Sequence, residues 1–444
     1  MKILKKLNAI QTIALGFAAI IVIGALLLML PIANKTGESI PFINALFTAG
    51  SATCVTGLVV YDTFTQFTYF GQAVIIVLIQ IGGLGFVTVA VLLSFVLKKR
   101  IGLKERMVLS EAMSLGQVGG VVKLVKRVLI GTAIIEGGGA VLLYTRFISV
   151  VGPVKAIWFS IFHSISAFCN AGFDLMGYYE PFSSLVYFQN DVFVNIVVMF
   201  LILSGGIGFL VWSDMVDYGF KLKKYCLHSK IMLVSTLVLV FGGAVIFFFT
   251  EAKTSMAGMT FGQRVLASFF QSVTPRTAGM NTIDLTKLSQ AGVLVTVLFM
   301  FIGAGAGSTG GGIKVTTVFT AGLAVKAYAT GQNDANIFGR RLEDKTVHRA
   351  LCTVFFYLAL AILATIIIQA NQSFKLTDTL IEVFSAIGTV GLSTGITREL
   401  NVLSKIVLIL LMYIGRIGSM TAILSVAERA ESGLQKPVGK IIIG

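Results

Sequence analysis

Eight apolar runs of roughly 18 residues or more divide the chain, at about 10–30, 69–97, 121–144, 191–212, 230–250, 290–327, 350–370 and 403–427. Runs of that length with few charges are long enough to cross a bilayer as helices. Within each successive pair lies a shorter segment and then a small polar loop. Pro31 stops the first run, and Ser39 and Pro41 stand where a short helix can start. That helix, at about 41–51, is too short to cross and must re-enter on the side it left. Gly152-Pro153, Thr260 and Thr377 open the corresponding segments further along.

The polar loops resemble one another: SATCVTGLVV (51–60), SAFCNAGFD (166–174), VTPRTAGMN (273–281) and SAIGTVGLSTG (385–395). Taking Gly57, Gly172, Gly279 and Gly391 as pivots, the separations are 115, 107 and 112 residues. Counted back from the pivots, Phe recurs ten residues earlier (Phe47, Phe162, Phe269), Ser six earlier (Ser51, Ser166, Ser385) and Ala five earlier (Ala52, Ala167, Ala386). Joint recurrence at one period is the mark of an internal repeat. The expected fold is an all-α polytopic membrane protein of four tandem span–pore-loop–span repeats. It would have eight transmembrane helices, four re-entrant pore helices and pseudo-fourfold symmetry. The repeats run over approximately 9–97, 120–216, 230–328 and 347–427 of a single membrane domain, and 428–444 forms a tail.

Composition agrees: 56% of residues are apolar, 12% are charged, and the mean hydropathy is +0.91. The basic start, 1–8, runs into the first apolar segment with no small-residue cleavage site, so that segment reads as a retained span. Segments 98–127, 217–230 and 326–349, with the two ends of the chain, hold 23 of the 35 Lys and Arg. The positive-inside rule then places both termini in the cytoplasm of a multi-pass protein in the cell membrane. Anionic lipid headgroups account for the net charge of +15 without nucleic acid. Cys54, Cys169, Cys226 and Cys352 lack metal-ligand spacing.

The loops carry the candidate chemistry. A dehydrated cation needs oxygens to replace its water, and backbone carbonyls in a protein-lined path supply them. Non-helical backbone at membrane depth is tolerated where it is buried in protein or faces a wet cavity. The candidate ion-binding residues are Val55-Thr56-Gly57, Asn170-Ala171-Gly172, Thr277-Ala278-Gly279 and Thr389-Val390-Gly391. Only the last reads TVG, as in a potassium-channel filter, so the four walls are expected to be unequal and less strict for K⁺ over Na⁺. Asp62, Asp174, Asp284 and Glu399 follow the pivots and are candidates for an outer mouth that concentrates cations.

A second fourfold signature lies deeper: Ile81-Gly82-Gly83, Ser204-Gly205-Gly206, Ile302-Gly303-Ala304 and Ile414-Gly415-Arg416. Small residues there would leave an opening, and Arg416 would place a positive charge in it as a barrier; an ion pair with Glu136 or a bond to a carbonyl is the plainer role. Intramembrane charges are functional by default. Six glycines in 303–312 (Gly303, Gly305, Gly307, Gly310, Gly311 and Gly312), followed by Lys314, cannot sustain a straight helix. This third inner span is expected to break into a loop below the filter, a candidate gate. Gly305-x-Gly307-x-x-Gly310 lacks the strand of a dinucleotide fingerprint, and Lys314 is not in a phosphate-loop arrangement. His163, His228 and His348 are isolated, no catalytic constellation recurs, and Glu136 is an unexplained intramembrane acid.

Four span–loop–span units, single filter glycines, GSTGGGIK in the third inner helix and an arginine in the fourth resemble the Trk/Ktr/HKT superfamily of potassium transporters. The compact length is similar to that of the Ktr-type ion-conducting membrane subunit. The resemblance implies that the four pivots are filter glycines, Gly303–Gly312 a gating loop and Arg416 the cation barrier. It also implies K⁺ as the transported ion, possible Na⁺ dependence and no organic cofactor. The implied assembly is a homodimer beside a cytoplasmic ring of RCK-type regulatory subunits that bind ATP or ADP. Members often carry Ser-Pro before GSTGGG, where this chain has Gly305-Ala306. The alternative is a gradient-coupled K⁺/Na⁺ symporter, which also uses broken helices at mid-membrane.

Overall fold

A computed structural model describes residues 9–85, 88, 102–112, 119–332 and 334–418. The tail and the ends of the first and fourth inner runs lie outside the described residues. The chain is mostly helical, and its elements recur in one order. Four long apolar helices, Ala9–Met29, Val121–Val151, Leu227–Thr250 and Asp344–Asn371, begin the four units. With a rise of about 1.5 Å per residue, each is long enough to cross a membrane.

Each is followed by a shorter helix: Phe42–Thr53, Pro153–Phe168, Phe261–Val273 and Leu376–Gly388. Pro153 occupies the first turn, where its missing N–H costs nothing. Thr260 and Gln263 form a reciprocal capping box. Two starts differ from expectation: the caps are Pro41 and Lys375, without side-chain cap bonds, rather than Ser39 and Thr377.

The inner helices start with a polar cap each time. Thr68, Asp191, Ser289 and Asn401 accept the backbone N–H of Gly71, Val194, Gly292 and Ser404 at 3.3, 3.0, 2.9 and 2.9 Å. Sequence reading expected continuous inner spans in every unit but the third. Within the described residues the second is bent as well, and the first and fourth helices end at a glycine. Tyr69–Leu84 ends at Gly85, Val192–Gly206 turns by 95° into Phe209–Tyr218 at Gly208, and Val402–Ile417 ends at Gly418. These glycines have φ of 82°, 101° and 88°, a conformation that L side chains resist. The third inner run divides into Gln290–Ile302 and Val315–Ala329, with 303–314 between them.

The packing closes on itself. The re-entrant helices of units one, two, three and four touch the inner helices of units four, one, two and three in turn. One apolar core runs through all four units, with Phe47, Phe162, Phe168 and Phe270 fully buried. This cyclic order brings the four loops to one place.

Candidate functional site

Every loop makes the same unusual turn. Val55, Asn170, Thr277 and Thr389, each two residues before a pivot, have φ of 58°, 59°, 73° and 51°. The pivots Gly57, Gly172, Gly279 and Gly391 have φ of 94°, 71°, 76° and 98°. A non-glycine residue held there costs about 1–3 kcal/mol, and here the same cost recurs at four equivalent positions.

The turns are held from behind. Backbone N–H groups of Thr56, Ala171 and Val390 donate to the carbonyls of Ser51, Ser166 and Ser385, each at 2.8 Å. Ser51 and Ser385 hydroxyls also accept the Gly57 and Gly391 N–H at 3.0 and 2.9 Å. In the third unit, Thr274 takes over, one residue later: its carbonyl accepts from Ala278, and its hydroxyl donates to the Met280 carbonyl. Walls two and three are tied through side chains. The Thr277 hydroxyl lies 3.2 Å from the Asn170 amide, whose nitrogen can then donate to the Ile202 and Ala167 carbonyls.

The pivots form a ring. A Cβ placed on Gly57 would lie 2.9 Å from the Gly172 Cα and 3.2 Å from the Gly391 Cα; one on Gly279 would meet Gly391 and Gly172 at 3.0 and 3.1 Å. Beside each glycine sits the middle carbonyl of the next wall: Ala171 by Gly57, Ala278 by Gly172, Val390 by Gly279 and Thr56 by Gly391. Four backbone oxygens and four Cα atoms thus alternate around one axis, with no room for side chains.

Outside the ring lies a cavity of about 460 Å³ lined by all four pivots. Asp62, Asp174 and Asp284 line it, but Glu399 does not. Gly395, at φ 103°, starts a short 3-10 helix, Ile396–Glu399, that leaves Glu399 exposed. Arg398 lines the cavity instead, with its guanidinium 4.4 Å from the Phe182 ring centroid. Burial and the neighbouring Asp62 push the Asp174 carboxyl up to about 7.

Inside the ring, the deeper glycines have a packing role that sequence reading missed. A Cβ on Gly82, Gly205 or Gly415 would collide with the carbonyl of Thr53, Phe168 or Ile387, each four residues before a pivot. They let the inner helices press against the ends of the re-entrant helices. The 303–314 segment crosses directly below. Gly310 and Gly311 are pressed against Thr277 and Thr389 side chains, and Gly312 against the Gly388 backbone. Its backbone is anchored on two units. Gly305 and Thr309 donate to the Gly206 and Gly205 carbonyls at 2.9 and 3.2 Å, and Gly312 donates to that of Gly415 at 3.0 Å. Gly303 and Gly307 take positive φ of 65° and 63°. Lys314 Nζ reaches back to the carbonyls of Gly310 and Gly311 at 2.7 and 3.0 Å.

Arg416 fastens this layer together. Its guanidinium donates to the carbonyls of Thr309, Gly82 and Gly83, the last at 2.9 Å. It therefore bonds carbonyls, and not Glu136. Glu136 instead accepts from Gln80 Nε2 at 3.1 Å and lies 3.7 Å from Cys169 Sγ. A second buried arginine, Arg276, sits three residues before Gly279 and donates to Thr236 at 3.3 Å. A charged residue within an otherwise uncharged loop was the signal for it.

The family model for TrkH, described as a cation transport protein, matches residues 5–435. The chain is 42% identical, over all of its length and 99% of the relative's, to a potassium/sodium uptake protein, NtpJ, of Enterococcus hirae. It is 41% identical to Ktr system potassium uptake protein B of Bacillus subtilis, over 98% of this chain and 96% of that one. The crystal structure of the potassium transporter TrkH from Vibrio parahaemolyticus superposes with a TM-score of 0.74 at 18% identity, over 93% of this chain and 83% of the other, a likeness of fold. The repeated loops, the broken inner helices and the match along nearly the whole sequence place the chain in the TrkH family of cation transport proteins.

Proposed function

We propose that this protein carries potassium ions into the cell through a channel-like path, with the ring of Gly57, Gly172, Gly279 and Gly391 and its neighbouring carbonyls as the selectivity filter. The observation that carries this reading is the alternation of four glycine Cα atoms with four carbonyl oxygens around one axis. Carbonyls held in such a ring replace a monovalent cation's water shell without any side chain. The relatives' names, potassium/sodium uptake and potassium uptake, favour K⁺ as the ion and leave Na⁺ as the competitor. Asp62, Asp174 and Asp284 would raise the local cation concentration outside the ring.

The 303–314 segment is the gate in this reading. It lies across the path, and hydrogen bonds rather than a packed helix hold it there. Arg416 supplies a fixed positive charge beneath the filter. At an effective dielectric near 20, a unit charge roughly 10 Å away is worth about 1.7 kcal/mol, enough to slow a permeating cation about tenfold. A homodimer and a cytoplasmic nucleotide-binding ring follow from the same family reading, with the basic cytoplasmic loops as the surface for such a ring.

The test is rescue of growth of K⁺-uptake-deficient cells at low external K⁺. Wild type restores growth, and Gly391→Asp, present in the membrane at the same amount, does not. Equal rescue by both would overturn the filter assignment.

A further inference from the structure

Nine residues before each pivot, the re-entrant helices carry Thr48, His163, Phe270 and Glu382. All four are buried, yet they fall into two kinds. The Thr48 hydroxyl donates to Asn44 in its own helix at 2.9 Å, and Phe270 has no polar atom in its side chain. His163 and Glu382 reach past the filter turn to the strand that leaves it. His163 Nε2 accepts the Leu175 backbone N–H at 3.2 Å, and Nδ1 lies 2.7 Å from the Phe159 carbonyl. A ring nitrogen that accepts an amide N–H carries no hydrogen, so the hydrogen sits on Nδ1 and the ring is neutral.

Glu382 accepts from the Ser393 hydroxyl at 2.8 Å and from the Thr397 hydroxyl. Ser393 Oγ accepts in turn from the Gly395 N–H at 2.9 Å. Among the described residues, no basic side chain forms an ion pair with Glu382. A buried acid without a counter-charge is costly, and here its bonds all go to the segment just outside the fourth wall.

Gly172 and Gly391 are both flanked by Gly57 and Gly279, so walls two and four face each other across the ring. We propose that His163 and Glu382 are positioning residues that brace two opposite filter walls from behind and thereby set how strictly the path prefers K⁺ over Na⁺. The proposal rests on the filter reading above. In unit one the re-entrant helix reaches the outgoing segment from its first turn, Asn44 to the Tyr61 hydroxyl at 2.8 Å, and in unit three from beside the turn, Thr274 to the Met280 carbonyl. Only in walls two and four does the buried position nine residues before the pivot make such a tie. Glu382 also places a carboxyl group bonded to two hydroxyls behind the wall that reads Thr389-Val390-Gly391.

The experiment measures K⁺ and Na⁺ uptake into proteoliposomes holding known amounts of protein. Support groups that orient ion-coordinating atoms are typically worth tenfold or more, so Glu382→Ala is expected to lower the K⁺/Na⁺ preference about tenfold. Glu382→Gln, whose amide oxygen still accepts a hydroxyl, should recover part of it. Ser393→Ala with Thr397→Val should match Glu382→Ala, and combining all three should add nothing. His163→Phe, which copies the third unit, should cost about threefold, since only one neutral bond to the outgoing segment is lost. Thr48→Val, at the equivalent place in the first unit, should leave the preference unchanged.

A wild-type preference in both Glu382 variants would overturn the proposal. So would additive effects of Glu382 and its two hydroxyl partners, or an equal shift in Thr48→Val. If Glu382→Ala fails to reach the membrane, Glu382→Gln and the hydroxyl pair carry the test. Gly391→Ser is measured alongside: no change there would bring down the filter reading itself, whereas a change there with none at Glu382 would remove only the bracing role.

Discussion

Val55, Asn170, Thr277 and Thr389 include an aliphatic side chain, an amide and two hydroxyls, yet all four adopt the same left-handed backbone at the same distance from a glycine. Further along each unit, on the inner helix, Gly83, Gly206, Ala304 and Arg416 occupy equivalent places and differ in what they do. Gly83 is pressed against Cys169 and Gly206 lies near Asn170, whereas Ala304 accepts the Val315 N–H and Arg416 bonds three carbonyls. If the loops select with backbone atoms, as proposed, their side chains are free to vary as long as the turn survives. The layer beneath is held by one loop and one charge, and its four units differ. A ring needs the same backbone turn four times; the proposed gate and barrier need only one of each.

The largest effect should come from breaking the ring. At any pivot, a side chain must take a left-handed conformation and also displace the neighbouring wall's carbonyl. Gly57→Asp or Gly279→Asp should lower K⁺ uptake about 30-fold or more, since both terms exceed about 1 kcal/mol and bear on every ion that passes. Isotopic uptake, normalised to membrane protein, measures it.

Arg416→Ala tests the layer beneath and should act in the opposite direction. Removing the charge and three hydrogen bonds should raise cation flux about tenfold while leaving K⁺/Na⁺ preference nearly intact. Single-turnover flux across a range of membrane potentials would show it, and unchanged flux would remove Arg416 as a barrier. Gly310→Val should fall between the two classes. Its side chain would push into Thr277 and Ala304 from below, so both rate and preference should shift, by about three- to tenfold.

The smallest effect is electrostatic and lies at the outer mouth. Desolvation and the neighbouring Asp62 push the Asp174 carboxyl up to about 7. It is charged above that pH and neutral below it, so K⁺ attraction should weaken as external pH falls from 8 to 6. A two- to threefold rise in KM for K⁺ is expected, since one charge among Asp62, Asp284 and Arg398 at the mouth is partly screened. Asp174→Asn should flatten this dependence and hold the low-pH value throughout.

The fourfold plan was legible because it rests on signals that survive in a single sequence: long apolar runs, prolines at re-entry points, and glycines at one period. The pivots were found for the same reason, since only glycine fits where four backbones converge. The breaks at Gly85, Gly208 and Gly418 were not legible, because one glycine within an apolar run costs only about 1 kcal/mol and does not by itself end a helix. At Gly208 the reason is tertiary: the turn sits against the Ala306 carbonyl of the 303–314 segment. Glu399 was chosen for its charge and distance from the pivot, but the turn at Gly395 presents Arg398 to the cavity instead. Glu382 and His163 were out of reach for another reason: their partners lie eleven to fifteen residues away across the filter turn.

The central claim is that four unlike loops make one filter, and reversal-potential measurements on the reconstituted protein test it most directly. Gly57→Ser, Gly172→Ser, Gly279→Ser and Gly391→Ser are each compared with wild type under opposing K⁺ and Na⁺ gradients. The account predicts that every one of the four moves the reversal potential toward the Na⁺ equilibrium value. A shift confined to Gly391→Ser, with the other three at the wild-type potential, would contradict it.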